Sequence, residues 1–231
     1  MKLPGHKKRK HEAADISSKP GRKRAERELV LGDHGFLRES FQNLHKISDV
    51  MWRSNQPNPR QIEEHVRLRG IKTILNLRGP STRGYYLLEK EACEAHGVEL
   101  IDFQVFSRDT PTVERVFEAK ALFDSITYPA LMHCKSGADR AGLMSVLYAI
   151  FQLGEPVNVA VRQLSKKYLH MREGKTGLLD AFFETYLEAE AASGIAFEDW
   201  LKTDYDREKV KEDFLKSGQS KLRLDWLLRR E

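Results

Sequence analysis

One stretch constrains this chain more than any other: YPALMHCKSGADRAGLMSVLYAIFQL, residues 128–153. YPALMH is short, apolar and suited to a buried strand, whereas Ala141 to Leu153 carries helical spacing. Between them lies a loop that begins at Cys134, contains Gly137 and ends at Arg140. A buried strand feeding directly into a helix is the repeating corner of an α/β sheet.

The flanking sequence extends this pattern. ISDVMWRS predicts a first strand ending at the turn residues Asn55, Pro57 and Pro59, with a helix from Pro59 to Arg69 stopped by Gly70. IKTILNL predicts the next strand, Tyr85 to His96 a helix, VELIDFQV a strand, and Thr112 to Asp124 a helix after the loop FSRDTP. Beyond Arg140 the strands cease. Val157 to Tyr168, Leu178 to Ala192 and the segment from Phe197 onward all have helical spacing. The expected architecture is α/β, a mainly parallel central sheet flanked by helices, with a helical C-terminal third.

Charge is uneven. Residues 1–27 hold ten Lys/Arg against three Asp/Glu, leaving 29 against 31 for the remainder, so the net charge of +5 belongs to one end. Such a segment has too little apolar surface to fold alone, and residues 1–28 are expected to be a disordered basic tail. Residues 29–46 are then expected to form a linker, 47–192 the globular domain that holds the strands and 193–231 a helical extension. The tail suits an anionic membrane surface; lacking interleaved aromatics, it does not suit specific nucleic-acid recognition. With no long apolar run and two cysteines, the expected setting is the cytoplasm, with a peripheral place at the inner membrane surface for the tail.

The corner at Cys134 is built for an anion. A loop entering a helix presents unpaired N–H groups, and the helix dipole adds partial positive charge. Lys135, Ser136, Gly137, Ala138 and Asp139 supply the backbone, Gly137 allows a tight curl, and Arg140 offers a planar fork for phosphate oxygens. The same field favours a Cys134 thiolate, with a pKa below the free value of about 8.5. Arg78, at a strand end on the same sheet edge, is a candidate for substrate binding.

The arrangement HCKSGADRAG, His-Cys-x5-Arg, resembles the signature of the cysteine-dependent protein tyrosine and dual-specificity phosphatases. With MWRSNQP and GIKTILNLR, the likeness extends to their compact atypical branch over roughly residues 47–190. It implies a metal-independent and cofactor-free phosphatase acting on phosphorylated protein or phospholipid. Cys134 would take the phosphoryl group, Arg140 would bind it, and an Asp would protonate the leaving oxygen. Asp109, in FSRDTPT, is the expected acid and Asp102 the runner-up. His133 is implied as a supporting residue that orients the loop.

Two departures stand out. Ala141 occupies a position where many members carry Ser or Thr, whose hydroxyl helps the thiolate leave; this opens an alternative, a phosphate-binding pseudophosphatase. Asp139 precedes the Arg, where it could tether Arg140, position water, act as an acid or simply suit a helix start. A rhodanese-type sulfurtransferase is a third alternative. Cys93 has the setting of a buried small hydrophobe. Lys175 and Thr176, in GKTG, lack the Walker spacing and could cap the next helix or touch the phosphate pocket.

Overall fold

The computed structural model describes residues 13–32, 38 and 40–217. Its five strands are β1 (His45–Lys46), β2 (Met51–Asn55), β3 (Thr73–Asn76), β4 (Glu99–Asp102) and β5 (Ala130–Cys134), in the order β1-β2-β5-β3-β4. β2, β5, β3 and β4 run parallel and β1 is antiparallel to β2. The sheet is therefore mixed but mostly parallel. The segment expected as one strand from Ile47 is split: Ile47 and Ser48 donate to the Met51 carbonyl, closing a turn between β1 and β2.

Most of the helices stand where the sequence pattern puts them. Helix α1 is Lys19–Arg27, α2 Pro59–Arg69, α3 Gly84–Ala95, α4 Val113–Ser125, α5 Asp139–Leu153, α6 Val157–Ala160, α7 Leu178–Ser193, α8 Phe197–Thr203 and α9 Arg207–Lys216. α2 starts on a capping box between Asn58 and Gln61 and stops at Gly70, whose φ of 64° is left-handed. Val157 to Tyr168 is not one helix. Only Val157–Ala160 is α-helical, followed by the short 3-10 turns Val161–Gln163 and Lys166–Tyr168, and Leu169 then takes a φ of 64°.

Alternation along β5 divides its side chains between two cores. Ala130, Met132 and Cys134 join the large cluster with Met51, Leu75, Val146 and Leu147. Leu131 joins Ile62, Ile74, Ala92 and Cys93 on the opposite face, under α2 and α3. The C-terminal helices extend the larger core through Phe182, Tyr186, Phe197 and Trp200.

The basic tail departs from expectation. Residues 1–12 lie outside the described residues, but Lys19–Arg27 is helical, capped by Ser18, with Ala25 buried. Ala25 and Leu29 pack with Leu88 of α3, and Arg22 pairs with Glu91 while Glu28 pairs with Arg83. A few apolar residues too sparse to make a core of their own suffice once α3 supplies the other half. Part of the expected linker is likewise ordered, as a helical turn at Glu28–Gly32 and as β1. Residues 218–231 of the expected extension lie outside the described residues.

Candidate active site

Cys134 is the last residue of β5, at the carboxyl end of the parallel strands where open α/β sheets bind ligands. Gly137 N–H donates to its sulfur at 3.2 Å, so the chain has curled back over the thiol. Gly137 has a φ of 73°, and a Cβ there would lie 2.7 Å from Asn55 N and Ser54 C. Only glycine meets both demands.

The curl is held from outside. Arg53, on β2 and buried, donates from one terminal nitrogen to the carbonyls of Gly137 and Ala138, each at 2.9 Å. Its other terminal nitrogen donates to the Gln163 carbonyl at 2.7 Å, and its guanidinium stacks 4.2 Å from the centre of the Tyr168 ring. Asn43 adds a bond to the Ser136 carbonyl at 2.9 Å and one to that of Tyr168 at 3.1 Å. Three successive loop carbonyls are thus bound to these side chains, while Gly137 N–H faces the sulfur and Ala138 N–H donates to the Ser136 hydroxyl at 3.4 Å. Burial pulls the Arg53 guanidinium down to about 10 against the opposing pull of Cys134, Tyr168 and Asp139, so at neutral pH it remains a cation.

On the other face of β5, His133 is fully buried with Nε2 2.6 Å from Glu89 Oε1 of α3. Glu89 Oε2 accepts from Gln56 Nε2 at 2.7 Å, and Arg78 donates to Gln56 Oε1. His133 and Arg78, the two expected supporting residues, thus lie on one polar chain. The Arg78 guanidinium also covers the Tyr85 ring at 3.9 Å.

Asp139 opens α5 and is buried. Its Oδ1 lies 2.8 Å from His170 Nδ1, and the opposite ring nitrogen, Nε2, lies 2.8 Å from Asp180 Oδ2 on α7. Burial alone would lower the His170 pKa, but bonds to Asp139 and Asp180 outweigh it and raise the value to about 9. Lys135, Ser136 and Arg140 are half-buried around the loop. Ala141 is buried in the core, and its carbonyl accepts from Ser145 Oγ at 2.6 Å.

The two acid candidates differ in setting. Asp109, in the loop before α4, pairs with Arg207 and lies 2.9 Å from Lys211, both on α9. Asp102, ending β4, accepts from Asn76 Nδ2 at 2.7 Å and from the Tyr86 hydroxyl at 2.5 Å. In register it faces Asn76, which faces His133, two strand spacings or about 10 Å from the signature strand.

Elsewhere, Cys93 is buried, and burial with nearby Glu89 pushes its thiol up to about 12, as suits a packing residue. Thr176 Oγ1 donates to the Met171 carbonyl at 2.9 Å, tying the turn before α7 rather than capping that helix with its side chain. Asn43, Arg53, Glu89 and His170 are site residues that sequence reasoning misses. Arg53 carries a signal: it shares the strand's core-facing alternation with Met51, and an Arg there must be answering something buried. His170 carries none, because its partners lie 31 and 10 residues away.

Comparison with known proteins identifies a family and a fold. A family model described as "DSP-PTPase phosphatase fused to NAD+ Kinase" matches residues 38–178. The dual specificity protein phosphatase TpbA of Pseudomonas aeruginosa is 26% identical over 129 residues, covering 54% of each chain. The inositol diphosphatase DSP1 of Oryza sativa subsp. japonica is 27% identical over 119 residues, 49% of this chain and 45% of the relative. The chain thus spans about half the length of these curated relatives. Among solved structures, P. aeruginosa TpbA aligns with a TM-score of 0.53 at 19% identity, over 69% of this chain and 88% of that one. Tk-PTP in its active form gives 0.51 at 19% identity, over 63% and 98%. These two likenesses concern the fold.

Proposed function

Because this chain belongs to the dual-specificity-type phosphatase superfamily, we propose that it hydrolyses phosphomonoesters through a cysteinyl-phosphate intermediate. The observation that carries the proposal is the Cys134 sulfur, 3.2 Å from Gly137 N under a loop whose carbonyls are bound by Arg53 and Asn43. Backbone N–H groups and Arg140 would hold three phosphoryl oxygens while the sulfur attacks phosphorus in line. The S–P bond forms as the P–O bond to the leaving group breaks, and that oxygen takes a proton from Asp109. Water then attacks phosphorus, giving a proton to the Asp109 carboxylate as the S–P bond breaks, so that orthophosphate leaves and both the thiolate and the protonated acid are restored.

For substrate class, phosphotyrosine is suggested by the structure of a TpbA variant in complex with pTyr, and an inositol diphosphate by the rice relative's name, inositol diphosphatase. Cys134→Ser should abolish release of phosphate from phosphopeptides and phosphoinositides while vanadate still binds, and EDTA should leave the wild-type rate unchanged. Full activity in Cys134→Ser, or loss with EDTA, would overturn the mechanism. A second reading, phosphate binding with slow turnover, is favoured by Ala141, which offers the departing thiolate no hydroxyl. A stoichiometric burst of leaving group followed by slow release, shortened by Ala141→Ser, would identify it.

A further inference from the structure

The phosphate loop contains a difficulty of its own. Asp139 is buried at the first turn of α5, next in sequence to Arg140, and a carboxylate there opposes a phosphate dianion.

His170 meets this charge with an unusual degree of constraint. A neutral imidazole has one N–H, yet both ring nitrogens here face carboxylate oxygens at 2.8 Å, Asp139 on one side and Asp180 on the other. Both bonds are made only by the imidazolium, which carries two donors. The nitrogens point to opposite sides, so the three side chains do not converge on a common ion.

The backbone is shaped to deliver this ring. Leu169 occupies the left-handed region, which a residue with a Cβ enters only at a steric cost, and His170 N–H closes the turn on the Ser165 carbonyl. Immediately before it, Tyr168 gives its carbonyl to Asn43 and its ring to Arg53, two side chains that also hold the loop carbonyls. Residues 165–170 are thus a strap behind the phosphate loop.

We propose that His170 is a positioning residue for phosphate binding: its imidazolium, shared between Asp139 and Asp180, offsets the Asp139 charge and ties the first turn of α5, which carries Arg140, to the first turn of α7. This rests on the phosphatase reading of the Cys134 loop. Packing alone would make the shape of residue 170 matter; neutralisation makes the charge balance between residues 139 and 170 matter.

The balance can be tested directly. The competitive inhibition constant of vanadate and kcat/KM on an aryl phosphate would be measured for the wild type, His170→Gln, Asp139→Asn and the double variant, with melting curves to confirm folding. His170→Gln removes a positive charge and should weaken vanadate about tenfold or more. Adding Asn at 139 removes the opposing negative charge, so the double variant should return to within about threefold of the wild type. Should His170→Gln fail to fold, Asp139→Asn decides alone: neutralisation predicts vanadate binding as tight as or tighter than wild type, and weaker binding overturns the proposal. Unchanged vanadate binding in His170→Gln, or a double variant no better than it, also overturns the proposal while leaving the phosphatase reading intact. A wild type that neither binds vanadate nor hydrolyses the ester overturns that reading, and this inference with it.

Discussion

Lys211 Nζ lies 2.9 Å from Asp109 Oδ1, joining helix α9 to the loop in which sequence reasoning places the proton donor. Arg207 pairs with the other carboxylate oxygen and donates to the Thr110 carbonyl at 3.0 Å, and the Tyr205 hydroxyl donates to the Pro111 carbonyl at 2.8 Å. A C-terminal segment beyond the family match at residue 178 therefore grips the loop.

To serve a leaving oxygen, Asp109 must be released from these two cations. Arg207→Ala with Lys211→Ala is expected to raise kcat/KM severalfold for a substrate with a poor leaving group and to leave an activated aryl phosphate unchanged. Asp109→Ala should slow the former by roughly 10² to 10⁴ and remove the gain. A fall in the double variant would instead make α9 a support for the loop, and an unaffected Asp109→Ala would move the acid role to Asp102.

Gly137→Ala probes the curl over the sulfur. The added methyl group meets backbone atoms of Ser54 and Asn55 at 2.7 Å and the residue must keep a φ of 73°. The loop should shift by a fraction of an ångström to about 1 Å, costing about a hundredfold in kcat/KM, with a circular dichroism spectrum like that of the wild type. Wild-type rates from a folded Gly137→Ala would show that the close approach is not needed.

Arg53→Met keeps much of the side-chain volume but leaves the carbonyls of Gly137, Ala138 and Gln163 without their buried donor. A loss of roughly 3 kcal/mol in unfolding free energy is expected, read from the urea midpoint at unchanged slope, together with weaker vanadate binding. A stable variant with intact vanadate affinity would mean that the loop holds its shape without Arg53.

The raised His170 pKa links stability to pH. The folded value is about 9 against an ordinary 6.5, because the bonds to Asp139 and Asp180 overcome the effect of burial. The stabilisation is therefore fully present below pH 6.5, declines between 6.5 and 9, and is lost above 9. The difference in unfolding free energy between wild type and His170→Gln should shrink by up to ~3 kcal/mol across that interval. A difference independent of pH would show that His170 does not exchange a proton on folding.

What the chain determines locally is legible in the sequence. The α2 helix runs from Pro59 to Arg69 as its cap residues and Gly70 dictate, and the β5 corner places Cys134 at a strand end because an apolar run stops there. These features depend on residues within a turn or two of one another, so short-range spacing carries them. α1 escapes such a reading because its apolar residues bury only against α3, some sixty residues on, and β1 because its pairing closes through a turn at Ile47 and Ser48. The same distance explains the site. Cys134, Gly137 and Arg140 lie within one short corner from β5 into α5 and announce themselves, whereas Arg53, Asn43, Glu89 and His170 reach that corner from other elements. Buried carbonyls and carboxylates must find partners wherever the fold brings them, so only the tertiary structure decided which side chains those partners are.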